Sequence, residues 1–133
     1  MTNIFHSIKV LTTIRRICVS GTDMEVMIDL GQNTTFSNIE TTFFQYYLSW
    51  IVLPTSVSYS ISDDGENFKE ITNIPNKIPL MKEGKFKHIF SFENETIKAK
   101  YLKVIAKTVG KLPQEHPAAG SDAWIFVDEI IIN

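Results

Sequence analysis

The first pattern the chain offers is an alternation of apolar and polar residues. Met24, Val26, Ile28 and Leu30 alternate with Glu25, Met27 and Asp29, and the run stops at Gly31. A period of two is that of a strand with one buried face. Val57, Tyr59 and Ile61 alternate in the same way with Ser56, Ser58 and Ser60, after which Asp63-Asp64-Gly65 is expected to supply the positive-φ residues of a hairpin turn. Phe68 to Ile74 reads as the partner strand. Ile39 to Phe44, Phe86 to Phe92, Tyr101 to Lys107 and Trp124 to Ile132 are rich in β-branched or aromatic residues and predict further strands, with a weaker one within Phe5 to Leu11. The alternation assigns Val26, Ile28, Leu30, Val57, Tyr59, Ile61, Leu102 and Val104 to the core.

Between these runs, Thr72 to Lys85 and Thr108 to Ala123 read as connections, broken by Pro75, Pro79, Gly84, Gly110, Pro113, Pro117 and Gly120. No long helical stripe is present. Many short strands without intervening helices predict an all-β fold, an antiparallel β-sandwich or jelly roll. No internal repeat or linker divides the chain, so residues 1–133 are expected to form one domain.

Composition narrows the function classes. Hydrophobic residues make up 44% and charged residues 21%, a balance that supports a packed core rather than disorder. A formal net charge of -2 offers no basic field for a phosphate backbone or an anionic membrane, so neither nucleic acid nor membrane is an expected partner. No apolar run approaches the ~20 residues that span a bilayer. Residues 1–6 lack the pattern of a signal peptide. The lone Cys18 excludes an internal disulfide and reads as a small core or surface residue. Asn33-Thr34-Thr35 and Asn94-Glu95-Thr96 match the glycosylation acceptor pattern, which acquires meaning only in a eukaryotic secretory context.

Enzymatic constellations are not apparent. Asp63-Asp64 belongs to a turn, and Asp128-Glu129 is expected to point to opposite faces of the last strand, so no paired carboxylates present themselves for hydrolysis. His6, His88 and His116 lack metal-ligand spacing. The aromatic residues are more informative, because the apolar face of a sugar stacks on exposed rings while its hydroxyls seek polar groups. Phe43-Phe44-Gln45-Tyr46-Tyr47-Leu48-Ser49-Trp50 concentrates rings where a strand gives way to a loop. Of these, Phe43 is expected inside and Tyr46 and Tyr47 outside, while Trp50 reads equally as a core plug. The segment Lys111 to Gly120 is the longest polar irregular stretch, and loops of this kind carry binding groups or simply close the sandwich. Gln45, Tyr46, Tyr47, Trp50 and His116 are therefore the candidate carbohydrate-binding residues, expected to converge at one end of the fold.

Longer stretches carry a family likeness. Gly21-Thr22-Asp23-Met24-Glu25-Val26-Met27-Ile28-Asp29-Leu30-Gly31, Ser49-Trp50-Ile51-Val52-Leu53-Pro54 and Val57 to Phe68 resemble the coagulation factor 5/8 type C, or discoidin-like, domains. Tyr101-Leu102-Lys103-Val104, Gly110-Lys111-Leu112-Pro113, His116-Pro117, Gly120 and Ala123 to Ile130 resemble the C-terminal domain of Bacteroides-type family 20 β-N-acetylhexosaminidases, often called chitobiases. The resemblance covers about residues 21 to 133.

It implies a discoidin-like, galactose-binding-domain-like jelly roll related to carbohydrate-binding module family 32. Such a domain is a non-catalytic accessory to a periplasmic or extracellular glycosidase. The partners implied are glycans containing N-acetylhexosamine or galactose, together with the catalytic domain of the parent chain. The resemblance also assigns Glu129 to a position that often helps hold calcium, while residues 1–20 lack the Asp-Gly loop and following Trp usual before the Asp-Leu-Gly strand. The alternative is a structural spacer that packs against its catalytic neighbour and binds no ligand.

Overall fold

A strand with one apolar face must find a second apolar face to cover it. The structure, a computed structural model that describes residues 4–9, 13–80 and 82–133, meets this need with strands in two facing layers. The strands are β1 (Ile4–Lys9), β2 (Thr13–Ser20), β3 (Met24–Tyr46), β4 (Ser56–Ser62), β5 (Lys69–Pro75), β6 (Lys85–Lys107) and β7 (Trp124–Ile132), with a 3₁₀ turn at Tyr47–Ser49. One layer runs from β1 through residues 24–29 of β3 and 101–107 of β6 to β4 and β5. The other runs from β2 through β7 and residues 39–46 of β3 to residues 85–93 of β6. Pairing is antiparallel throughout, apart from β1 alongside β3.

The strands expected at residues 24–30 and 39–44 are two halves of β3, and those at 86–92 and 101–107 are two halves of β6. Each long strand passes from one layer to the other. The β3–β6 register slips between Asp29 and Thr34 and again between Phe36 and Asn38, and such bulges let a strand turn a corner while its ladder continues. The corner lies at one end of the sandwich. At the opposite, open end, β3 runs into the turn at Tyr47–Ser49, and the connection of residues 108–123 joins β6 to β7.

The core lies between the layers. Val26, Ile28, Val57, Leu102 and Val104 from one meet Ile39, Phe43, Phe90, Ile125, Val127 and Ile130 from the other, all buried. Of the residues assigned to the core from sequence, Leu30 and Ile61 are only half-buried and pack against its rim. Tyr59 on β4 crosses the interface. Its hydroxyl donates to the Phe90 carbonyl (2.9 Å) and accepts from the Thr41 hydroxyl (2.7 Å), which satisfies three polar groups in an apolar interior. Burial pushes the Tyr59 pKa far up, against the opposing effect of the Thr41 hydrogen bond.

The β4–β5 turn forms where expected, with a difference of detail. Gly65 alone in it takes positive φ (81°), and Asp64 works through its carboxylate. That group accepts from the Asn67 N–H and side-chain amide, the Glu66 N–H and the Ser62 hydroxyl at 2.8–2.9 Å. The Asn67 bonds above all hold the Asp64 pKa well below the usual carboxylate range.

Two expectations need correction and one strand was not anticipated. Asp128 and Glu129 do not point to opposite faces, because the β3–β7 register shifts between Thr42 and Phe43, and both residues lie between buried Val127 and buried Ile130 on the outer side. The partner of β4 spans Lys69–Pro75, one residue later than read from sequence. Strand β2 was hidden because consecutive Arg15 and Arg16, the latter at φ 59°, interrupt the alternation of buried Ile17 and Val19. Cys18 between them is exposed, and partial desolvation raises its thiol pKa away from the reactive thiolate. The weak strand expected within Phe5 to Leu11 corresponds to β1, although Val10 and Leu11 lie outside the described residues.

Tyr59→Phe should cost about 1–3 kcal/mol in denaturant unfolding, because it strands the Thr41 hydroxyl and Phe90 carbonyl without their partner. Leu102→Ala should cost ~2–5 kcal/mol as a buried aliphatic truncation. The Asp64 turn predicts an acid limb. Its folded pKa lies below an unfolded value of about 3.9, so its contribution is complete above pH ~4 and is lost as pH falls toward the depressed folded value. Unfolding curves measured down this range should be steeper in pH for the wild type than for Asp64→Asn.

Candidate functional site

At the open end, a small apolar cluster holds the loops to the sandwich. Tyr47, Val52, Leu112 and Ala123 are buried together, with Val109 and Ala118 against them. The connection of residues 108–123 folds back on itself. In it the Leu112 N–H donates to the Ser121 carbonyl (2.8 Å), the Gly120 N–H to the Leu112 carbonyl (3.2 Å) and the Ala123 N–H to the Gly110 carbonyl (2.9 Å). An ion pair of Lys111 with Asp122 closes the neck of this loop on its exposed side.

The expected convergence of the Gln45 to Trp50 segment with the His116 loop is present, and its chemistry is structural. His116 is 4% exposed and Tyr47 is 2% exposed, with ring centroids 4.3 Å apart. The Ala118 N–H donates to His116 Nδ1 (2.8 Å), which assigns the ring proton to Nε2, the atom 2.7 Å from the Tyr47 carbonyl. Both ring nitrogens are thus engaged. Tyr47, expected outside, is an interior residue because its ring caps this cluster. Burial, then the Glu115 and Glu83 carboxylates, push its hydroxyl pKa up.

Gln45, 1% exposed, serves as a second brace. Its Nε2 donates to the Lys82 carbonyl (2.7 Å) and its Oε1 accepts from the Leu53 N–H (3.0 Å), so one side chain ties together two loops. Gln45, Tyr47 and His116 therefore direct their bonding inward, and a sugar at the surface would not meet them.

Rings do reach solvent at this end. Trp50 is 39% exposed and Trp124 is 38% exposed, with Leu48 more open still. The two tryptophans lie on adjoining backbone, joined by the Trp124 N–H to the Trp50 carbonyl (2.8 Å). Trp50 also has φ 71° and ψ 9°, the left-handed region, where it caps the 3₁₀ turn by donating its N–H to the Tyr47 carbonyl (3.1 Å). A bulky residue there is under strain of order 1–3 kcal/mol, and strain of this kind concentrates at functional positions. Tyr46 is half-buried on the outer face of the sheet. Trp124 was not among the candidate residues, because Trp124-Ile125-Phe126-Val127 is apolar throughout and only the burial of Ile125 and Val127 shows that Trp124 faces outward.

Glu129, the residue the resemblance assigns to calcium, lies in β7. Glu129 stands in register with Thr42 of β3 and Arg15 of β2, and among the described residues no three His, Cys, Asp or Glu side chains gather as metal ligands. Among the described residues, no helix is long and apolar enough to cross a membrane.

Comparison with known proteins gives this geometry its context. A sequence profile of the F5/8 type C domain matches residues 15–128. No match is found among curated protein sequences. The chain is similar to part of a Ruminococcus gnavus GH29 fucosidase in complex with fucose, at 14% identity and TM-score 0.58, covering 88% of this chain and 19% of that one. It is also similar to the CBM32 of AlyQ in complex with 4,5-unsaturated mannuronic acid, at 15% identity and TM-score 0.53, covering 89% and 76%. Both likenesses establish a shared fold. A looser one, to the C-terminal domain of a chitobiase from Bacteroides fragilis, has 16% identity and TM-score 0.46 over 82% of this chain and 61% of that one.

The strain at Trp50 has a measurable signature. Glycine normally destabilises a folded position relative to alanine, but at positive φ the order reverses. Trp50→Gly should therefore be more stable than Trp50→Ala by about 1 kcal/mol in chemical denaturation. The opposite order would show that Trp50 relaxes out of the left-handed region in solution.

Proposed function

The chain belongs to the F5/8 type C domain family, and we propose that it serves as a non-catalytic carbohydrate-binding module whose ligand stacks on the aromatic open end of the sandwich. Trp50 carries this reading: an exposed ring is held in a strained conformation on a loop that buried Gln45 and His116 keep rigid. Preorganised rings limit the ordering cost that would otherwise cancel a weak stacking interaction. The mannuronic acid complex of the AlyQ module supports a sugar as the ligand class.

In this reading Trp50, Trp124 and Tyr46 touch the glycan, while Gln45, Tyr47 and His116 fix the loops that present it. The sequence resemblance to hexosaminidase C-terminal domains makes N-acetylhexosamine and galactose the first sugars to test. It also makes a secreted or periplasmic glycoside hydrolase of the β-N-acetylhexosaminidase type the proposed parent, with its catalytic domain as neighbour.

Titration with N-acetylglucosamine, N-acetylgalactosamine, galactose and fucose should quench tryptophan fluorescence and shift the indole signals of Trp50 and Trp124. Trp50→Ala should weaken binding at least about tenfold, a loss of ~1.4 kcal/mol, while the far-ultraviolet circular dichroism stays unchanged. If all of these sugars leave both indoles unperturbed at millimolar concentration, the spacer reading replaces this one.

A further inference from the structure

A row of side chains begins beside the loop site and crosses the outer face of the second layer. Register fixes its members. Ser20 pairs with Trp124 in the β2–β7 ladder, Trp124 with Ile51 through a parallel bridge, Ile51 with Tyr46 through an antiparallel bridge, and Tyr46 with Lys85 in the β3–β6 ladder. Directly paired residues project from the same side of a sheet. Trp124, Ile51, Tyr46 and Lys85 therefore stand side by side on neighbouring strands. At ~4.8 Å per strand, Trp124 and Tyr46 lie about 10 Å apart, and the row from Trp124 to Lys85 spans about 14 Å.

The row is supported and edged in a way that suits a particular ligand. The Lys85 ammonium lies 4.5 Å from the Tyr46 ring centroid, and the Phe44 ring packs edgewise on Tyr46 with centroids 6.5 Å apart. Two rings are thus separated by one aliphatic residue, with the Ser20 hydroxyl at one end and an ammonium at the other. Successive units of a glycan chain present the same alternation of apolar ring faces and hydrogen-bonding edges. The next row on this face runs from exposed Cys18 through the half-buried Phe126 and Phe44 rings, packed edgewise with centroids 6.1 Å apart, to Lys87, whose ammonium is ion-paired with Asp128 at 3.1 Å, so each row ends on an ammonium group.

We propose that the ligand is an extended oligosaccharide, longer than a single terminal sugar, which leaves the loop site at Trp50 and lies along the row from Trp124 to Lys85. This deepens the carbohydrate-binding reading and rests on it. Trp124 is the link, since it borders the loop site and starts the row. Tyr46 and Lys85 then read units further along the chain, and the affinity depends on chain length.

The test is calorimetric titration and amide-shift mapping of the full chain. The probes are N-acetylglucosamine, galactose and mannuronate, each as the monosaccharide and as homo-oligomers of increasing length. In at least one series, affinity should rise about tenfold or more from monosaccharide to tetramer, and shifts at Tyr46 and Lys85 should accompany only the longer ligands. Tyr46→Ala should abolish the gain in affinity from monosaccharide to tetramer. Because Tyr46 is half-buried, Lys85→Ala at an exposed position is the companion variant, expected to weaken the tetramer severalfold without lowering the melting temperature. Affinity independent of length, with shifts confined to Trp50 and the 108–123 loop, overturns the extended-chain proposal and leaves the loop site standing. No binding of any series overturns both.

Discussion

The ladder between β3 and β6 continues through both layers, and the remaining strands take their places from it. Residues 24–29 pair with 101–106 in one layer, and residues 38–46 pair with 85–93 in the other. A ladder that turns a corner must give up regular pairing somewhere, and here it does so at Asp29 to Asn38, where bulges absorb the bend. Once the corner is made, the two halves face each other and their inner side chains form a common core. Strands β4 and β7 then extend opposite layers, each on a free edge of this bent pair. Tyr59 joins the layers across the gap. A hydroxyl in such a place is costly unless satisfied, and its bonds to Thr41 and Phe90 give the two layers one preferred alignment.

The open end follows a similar logic with different groups. Loops carry polar backbone that must be satisfied when it is packed against a core. Gln45 and His116 meet that need from within, one bonding Lys82 and Leu53, the other Tyr47 and Ala118. Their effect is rigidity rather than recognition. The loops become fixed supports, and Leu48, Trp50 and Trp124 are the large side chains they leave open to solvent.

Trp50 shows a tension between stability and use. A glycine would adopt φ 71° without strain, and the burial of a ring that is 39% exposed offsets only part of the cost of holding it there. The position makes chemical sense if the exposed part of the ring has work to do on a ligand. The outer row from Trp124 to Lys85 extends the same arrangement, because Tyr46 is steadied by its sheet neighbours Phe44 and Lys85.

The alternation of residues 24–30 and 56–61 predicted by itself a fold of strands, with Val26, Ile28, Val57 and Tyr59 facing inward as they do. Local turn chemistry at Asp64 and Gly65 was equally legible, because its partners lie within three residues. The family likeness in residues 21–133 pointed to the same fold. Tertiary structure alone decided that four of the expected strands are halves of two bent ones, since a bulge depends on what the neighbouring strand does. It also decided the fate of the candidate residues. Tyr47 and His116 are 69 positions apart, and each helps to bury the other. Gln45 turned inward for the same reason, toward loop backbone that no local pattern places beside it. Trp50 and Trp124 were left outside, since a strand's period records a side but not the elements that will cover it.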